Sequence, residues 1–124
     1  MRIYISGPIS GRDAGTVREE FEAAERMILE RGHVPINPVK IAEKLPQNSE
    51  WKDHMAADLP ELFSCDAIYQ LAGWKRSHGC QLENMAAIYA RMPRYCALVP
   101  VPFASPKLAG IYRRKQEDGR KRRK

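Results

Sequence analysis

The chain has 124 residues and a mass of 14.2 kDa, which is the size of one ordinary domain. With 44% hydrophobic and 29% charged residues it can bury a core, so wholesale disorder is excluded. Its three cysteines form no CxxC pair and no run of 18 apolar residues occurs, which excludes a disulfide scaffold, a cysteine zinc finger and a transmembrane helix. No signal-peptide pattern precedes the first strand and the histidines are scattered, so we expect a cytoplasmic protein without a metal site.

The net charge of +6 is concentrated at the C-terminal end of the chain. Residues 113–124 hold eight Lys or Arg and two acidic residues, whereas the rest of the chain holds 13 of each sign. We therefore predict a neutral domain over residues 1–103 and a basic, flexible tail over residues 104–124. Attraction of phosphate or RNA by this tail is one hypothesis for function.

The first half of the chain predicts two strands and a helix between them. Residues 2–6 (RIYIS) form the first predicted strand, which stops at the turn pair Gly7-Pro8. Thr16 and Glu19 fit a capping box that would open the helix. Apolar residues then recur at helical spacing, and Gly32 ends the helix. Residues 33–36 form the second predicted strand, closed by Asn37-Pro38.

The second half predicts two more helices and two more strands. Residues 39–50 read as a loop with at most one helical turn, followed by a helix from about residue 50 to Phe63 that Pro60 should kink or restart. Residues 66–71 form the third predicted strand and 73–76 a loop. Ser77 caps the next helix, which runs to about Ala90 with an apolar face formed by Leu82, Ala86 and Tyr89. Residues 95–99 form the last predicted strand.

This alternation of strands and helices predicts an α/β protein with a parallel sheet and helices on both faces. In such sheets, ligands bind beyond the carboxyl ends of the strands. The segments that leave those ends are residues 7–15, 37–49 and 71–79, so we expect the functional residues there.

The loop after the first strand is the first candidate binding segment. It supplies two hydroxyls, close backbone approach at two glycines, and a guanidinium that matches a phosphate, from Ser6, Gly7, Pro8, Ser10, Gly11 and Arg12. The segment is neither GxGxxG nor a P-loop, because the glycines are four apart and no GK[ST] follows. An ordinary strand-to-helix turn explains this loop equally well.

The segment from Gly73 to Glu83 is the second candidate. Ser77 at a helix start leaves backbone donors free for an anion. Gly79 lies one turn before Glu83, so bare backbone beside the carboxylate would open a path for a substrate. A solvated helix glutamate is the plain alternative, and Trp74 either packs or stacks on a base.

Asp58 is the third candidate. Together with Glu61, three residues on, it also fits a helix N-cap, which is a sufficient structural explanation for an aspartate at this position.

Taken in order, these segments resemble a known family. The ordered set consists of residues 3–11, Gly32-His33 to Asn37-Pro38, Trp51, Met55, Asp58-Leu59, residues 65–68, Gly73-Trp74, Ser77, Gly79 and Glu83. It resembles small phage and bacterial proteins related to nucleoside 2-deoxyribosyltransferases, and the deoxynucleoside 5′-monophosphate N-hydrolases of the same superfamily. The resemblance covers residues 2 to about 99.

The resemblance implies a flavodoxin-like three-layer sandwich with four to five parallel strands. It also implies cleavage of an N-glycosidic bond without metal or organic cofactor. Glu83 matches the nucleophile, Asp58 the residue on the base side, and Tyr4 the tyrosine that orients the glutamate. Ser77 stands where the transferases carry aspartate and the monophosphate hydrolases serine. Pro8 and Ser10 depart from the serine and arginine of the hydrolases, so Arg12 is the remaining candidate for a phosphate contact in that loop.

The leading hypothesis is therefore an N-glycosidase acting on nucleosides or their 5′-monophosphates, in which desolvation raises the pKa of the acid above that of the nucleophile. Relatives usually complete the site with a neighbouring subunit, so we expect a homodimer with Trp74, Met85 and Tyr89 at its contact. A non-catalytic nucleotide sensor, and an accessory protein that binds nucleic acid through its tail, are the alternatives.

Overall fold

Four parallel strands form one sheet in the computed structural model, which describes residues 1–104 of the chain. The strands are β1 (Arg2–Ser6), β2 (Val34–Ile36), β3 (Ala67–Gln70) and β4 (Arg94–Tyr95). The helices are α1 (Ala14–Glu30), α2 (Pro38–Ala42), α3 (Trp51–Phe63) and α4 (His78–Tyr89). The predicted basic tail lies outside the described residues, apart from Ala104.

The order of the strands in the sheet is β2-β1-β3-β4, with every pair parallel. This confirms the predicted α/β class and is consistent with a flavodoxin-like three-layer fold, in which the order begins 2-1-3-4. The chain moves from β1 to one side of the sheet and then returns to place β3 on the other side of β1. A crevice for a ligand is therefore expected beyond the carboxyl ends of β1 and β3.

The side chains of β1 alternate between two hydrophobic layers. Ile3 and Ile5 pack in the layer that contains α1, whereas Tyr4 packs with Leu62 of α3 and Ala87 of α4 on the opposite face. Each of these β1 side chains is fully buried. Burial of one large apolar side chain contributes about 1.5–3 kcal/mol, so this central strand anchors both layers and fixes the direction of its polar side chains.

Helix α1 begins earlier than predicted. Asp13, not Thr16, is the N-cap, and its carboxylate accepts from the backbone N–H of Thr16 at 2.9 Å. The predicted capping box of Thr16 and Glu19 is therefore wrong, because an aspartate three residues upstream is available as an equally good cap. The predicted end is confirmed, since Gly32 follows the helix with a φ of 87°.

Helix α3 continues through Pro60, so the predicted restart is wrong, whereas the alternative of a kink stays a prediction. Pro60 removes one helical hydrogen bond in the last turn, and the buried Leu62 holds that turn against the core. The N-terminal capping box joins Glu50 and Asp53. Asp58 consequently lies in the middle of the helix and is not an N-cap.

Helix α4 has the predicted N-cap, Ser77, but a different buried face. Its buried residues are Cys80, Glu83 and Ala87, whereas Leu82 is 38% and Tyr89 79% exposed. The spacing of apolar residues predicted the wrong buried face, because a carboxylate with hydrogen-bond partners, Glu83, occupies the middle of the true one.

The remaining differences concern short segments. Residues 74–76 form a 3-10 helix in place of the predicted loop, and β4 is shorter than the predicted strand. After Tyr95 the chain turns, with Cys96 and Val99 forming an isolated antiparallel bridge. Among residues 1–104, no helix is long and apolar enough to cross a membrane.

Candidate active site

A cavity of about 960 Å³ lies beyond the carboxyl ends of the strands. Its walls come from the loop after β1, the first half of α3 and the start of α4, as the parallel topology predicts. The predicted site residues that line it are Gly7, Pro8, Ser10, Arg12, Asp58, Ser77, Gly79 and Glu83.

Four predicted site residues do not line the cavity. Tyr4 and Ser6 are fully buried beneath it, and both bond to Glu83. Gly11 and Trp74 are not among the lining residues, so a stacking role for Trp74 has no geometric support. Instead, the Lys75 ammonium lies 5.8 Å from the centre of the Trp74 ring.

Glu83 lies at the bottom of the cavity and is 4% exposed. The Tyr4 hydroxyl donates to its Oε2 atom, and the Ser6 hydroxyl donates to its Oε1 atom at 2.8 Å. Burial raises the pKa of Glu83 to about 7; the two hydroxyls lower the pKa and the nearby Asp58 raises it further. The plain alternative of a solvated helix glutamate is therefore wrong.

Asp58 faces the same cavity from α3 and is 7% exposed. Burial raises its pKa to about 6, against the opposing effects of His54 and Tyr4. Tyr4 therefore interacts with both carboxyl groups, and its hydroxyl donates to Glu83. Burial, and then the charges of Glu83 and Asp58, raise the pKa of its hydroxyl far above the ordinary value, so this hydroxyl remains a donor.

Burial raises the pKa of both carboxyl groups, that of Glu83 to about 7 and that of Asp58 to about 6. The expected order, with the pKa of the acid Asp58 above that of the nucleophile Glu83, stays a prediction for the bound state. Ionisation of one carboxyl group disfavours ionisation of the other, so the two groups titrate as a pair rather than as two independent residues.

Arg12 forms an ion pair with Glu20 of helix α1. Its guanidinium donates to both carboxylate oxygens of Glu20, at 2.8 and 2.7 Å, and to the Pro8 carbonyl at 3.0 Å. The bidentate geometry is the one a phosphate would otherwise take. Glu20, which the sequence analysis did not consider, thus occupies the phosphate-binding fork of Arg12.

The start of α4 forms another part of the cavity wall. The Ser77 hydroxyl accepts from the Cys80 backbone N–H at 3.3 Å, as expected of an N-cap. A Cβ added to Gly79 would lie 3.2 Å from Met55 Cε and 3.6 Å from Trp51 Nε1. The bare backbone at Gly79 therefore accommodates two side chains of α3, and Gly79 lines the same cavity as Glu83. An open path to the carboxylate at this glycine stays a prediction.

Sequence reasoning missed most of the wall that α3 contributes. Trp51, His54, Met55 and Asp58 all line the cavity and recur at spacings of three, one and three, which is one face of a helix. That spacing was visible in the sequence, but only Asp58 was given a role. Arg76 and His78 complete the missed polar lining. Among residues 1–104, no group of three His, Cys, Asp or Glu side chains is arranged to hold a metal ion.

Comparison with known protein families identifies one match. The family model described as a domain of unknown function, DUF4406, matches residues 1–93, which include β1, β3 and all four helices. The chain therefore belongs to this family. Neither the curated proteins nor the solved structures contain a significant match.

Proposed function

We propose that this member of the DUF4406 family is an N-glycosidase that cleaves the bond between base and sugar in nucleosides or their 5′-monophosphates. The observation that carries the proposal is the pair of buried carboxyl groups, Glu83 and Asp58, which face one cavity, with the Tyr4 hydroxyl bonded to Glu83. Two carboxyl groups with raised pKa values at a cavity are typical of glycoside cleavage.

In the proposed reaction, ionised Glu83 attacks C1′ of the sugar and the C1′–N bond breaks. Asp58, directly or through a water molecule, gives its proton to the leaving base. The covalent glycosyl-glutamate is then released by water, with Asp58 accepting one of the water protons, or by a second base. Tyr4 donates to Glu83 and holds its carboxylate towards the sugar.

The reactive state needs Glu83 ionised and Asp58 protonated. The raised pKa values of about 7 and about 6 mean that the pair retains a proton near neutral pH, which either carboxyl group can carry. A base bound over Asp58 would exclude water from that carboxyl group and raise its pKa further. Substrate binding would therefore shift the shared proton to the acid.

The start of α4 is the proposed position of a 5′-phosphate. The first backbone N–H groups of a helix have no partner in a preceding turn, and they favour an anion. Ser77 adds a hydroxyl and Arg76 a cationic side chain at the cavity wall. Because Glu20 occupies the fork of Arg12, Arg76 replaces Arg12 as the proposed charged contact.

We further propose that the protein is a homodimer that associates through α4. The outward face of α4 carries Leu82, Met85, Ile88 and Tyr89, which are 38–79% exposed. The helix has one acidic residue, the buried Glu83, and no Lys or Arg. An exposed helix face that is apolar and free of charge is typical of an interface core.

A nucleotide sensor is the second candidate function. The raised pKa of Glu83 favours it, because a neutral carboxyl group is a poor nucleophile but a good hydrogen-bond donor to a ligand. A sensor would bind nucleotides in this cavity without changing them.

The experiment that tests the proposal is incubation of the full chain with a panel of nucleosides and 5′-monophosphates. We expect free base to appear in the chromatogram for at least one member. Tight binding of a panel member in calorimetry without release of base would support the sensor and contradict the glycosidase.

A further inference from the structure

Ser6 has no access to a ligand, although the sequence places it in the binding loop. It is the last residue of β1, it is fully buried, and it is not among the residues that line the cavity. Its carbonyl accepts from the Leu71 N–H at 2.8 Å, which ties its backbone to the segment that follows β3. The side chain therefore projects from a fixed point at the centre of the sheet.

The Ser6 hydroxyl is directed at Glu83. Side chains two residues apart on a strand lie on the same face, so Ser6 and Tyr4 both point towards α4. Ser6 Oγ donates to Glu83 Oε1 at 2.8 Å, while Tyr4 donates to Oε2. With one donor on each oxygen, rotation of the carboxylate plane would break a hydrogen bond on either side.

The surroundings of Glu83 otherwise oppose its ionisation. Burial and Asp58, which faces it from α3, both raise its pKa. The Cys80 thiol lies on the same buried face of α4. His54 lies beside Asp58 and interacts with that carboxyl group. The Ser6 and Tyr4 hydroxyls lower the pKa of Glu83 against burial and against Asp58.

We infer that Ser6 is a positioning residue for Glu83: its hydroxyl fixes one carboxylate oxygen and favours the ionised form that attacks the sugar. This inference rests on the proposed function for its catalytic meaning, but the effect of Ser6 on Glu83 does not depend on any substrate. Ser6 acts through Glu83 and does not touch the reacting atoms.

The direct test is a titration of the Glu83 side-chain carboxyl by ¹³C NMR in the full chain, comparing wild type with Ser6→Ala. Loss of a hydrogen bond to a charged group should raise the pKa of Glu83 by about one unit. Ser6→Cys keeps the volume and supplies a weaker donor, so we expect a smaller rise. Ser64→Ala, at an exposed serine after α3, is the matched control and should leave the titration unchanged.

The kinetic test uses the same variants on any substrate that releases base. Because Ser6→Ala should reduce the ionised fraction of Glu83 about tenfold below neutral pH, kcat/KM should fall about tenfold at pH 6. The deficit should shrink towards pH 9, where Glu83 is ionised in both proteins. KM should stay unchanged, since Ser6 does not contact the substrate.

An unchanged pKa of Glu83 in both Ser6 variants would overturn the inference, as would a loss of activity that is the same at every pH or that lies in KM. If Ser6→Ala does not fold, the Ser6→Cys titration decides the question. If no substrate releases base, the proposed function fails, whereas the NMR result still decides whether Ser6 controls Glu83.

Discussion

At the scale of single residues, the unusual feature of this protein is a carboxyl group that is almost entirely buried and has no cationic partner among residues 1–104. Glu83 has two hydroxyl donors and an acidic neighbour, Asp58. Hydrogen bonds reduce the cost of burying a carboxylate but do not remove it. Such a cost is retained where the group has a chemical task, and it should be measurable as lost stability.

The first prediction concerns the free energy of unfolding, in which the cost of ionising the buried Glu83 should be visible when wild type is compared with Glu83→Gln. The pKa of Glu83 rises from its ordinary 4.5 to about 7 on folding, so between these values the folded state binds more protons than the unfolded chain. Stability of the wild type therefore falls as pH rises through this window and then stays level. The shift corresponds to at most roughly 3 kcal/mol.

Glu83→Gln should match the wild type near pH 4 and exceed its stability at pH 8, by denaturant unfolding. Glu19→Gln, at an exposed position on α1, is the matched control and should show no such difference. Equal stability of Glu83→Gln and wild type at both pH values would mean that ionised Glu83 carries no folding cost.

At the scale of elements, sequence patterns located the four strands and the three long helices of the described residues, but they missed the 3-10 helix at residues 74–76 and assigned the faces of α4 incorrectly. The pattern of β1 was clear because each apolar side chain is simply buried. In α4, by contrast, Glu83 is buried and Tyr89 is exposed, so hydrophobicity pointed to the wrong side. The partners that bury Glu83 are 77 and 79 residues away, and no local pattern reveals them.

Part of the candidate site could be predicted from the sequence. Glu83, Asp58 and Tyr4 were identified by resemblance, and the parallel topology brought their segments to one edge of the sheet. The pairing of Arg12 with Glu20 was missed, because Arg12 lies in the loop before α1 and Glu20 lies inside the helix, so no helical spacing relates the two.

The N-terminus of α4 gives the second prediction. Ser77→Asp keeps a good helix cap but places a carboxylate where we propose the 5′-phosphate binds. Repulsion should then reduce the preference for monophosphates over nucleosides, by about 30-fold or more if a dipole and one charge-assisted contact are lost. The measurement is the ratio of kcat/KM for a matched nucleotide and nucleoside.

A second variant, Ser77→Asn, separates the effect of the added charge from the effect of replacing the serine. Ser77→Asn also caps a helix but adds no charge, so it should retain most of the preference. If Ser77→Asn and Ser77→Asp change the ratio equally, or if the wild type has no preference at all, a phosphate does not bind at this helix start.

At the scale of the whole molecule, the two faces of the sheet differ in what covers them. Helix α1 presents a largely charged surface, whereas α4 presents an uncharged apolar one. The third prediction is therefore a mass of twice 14.2 kDa by light scattering at tens of micromolar protein.

Met85→Glu should convert the dimer to a monomer, because a charge on the apolar face of α4 would be buried in the interface. Leu29→Glu, at a similarly exposed position on α1, should leave the mass unchanged. A wild-type monomer, or a dimer that tolerates Met85→Glu and dissociates with Leu29→Glu, would contradict association through α4.

The central claim is that Glu83 attacks the sugar, and the rate of base release by Glu83→Gln tests it most directly. The variant keeps the size and most hydrogen-bonding capacity of Glu83 but has no carboxylate to form the covalent intermediate. We predict that the folded variant binds substrate while its kcat falls by about a thousandfold or more, as expected when a nucleophile is removed. A folded Glu83→Gln protein that releases base at close to the wild-type rate would contradict the account.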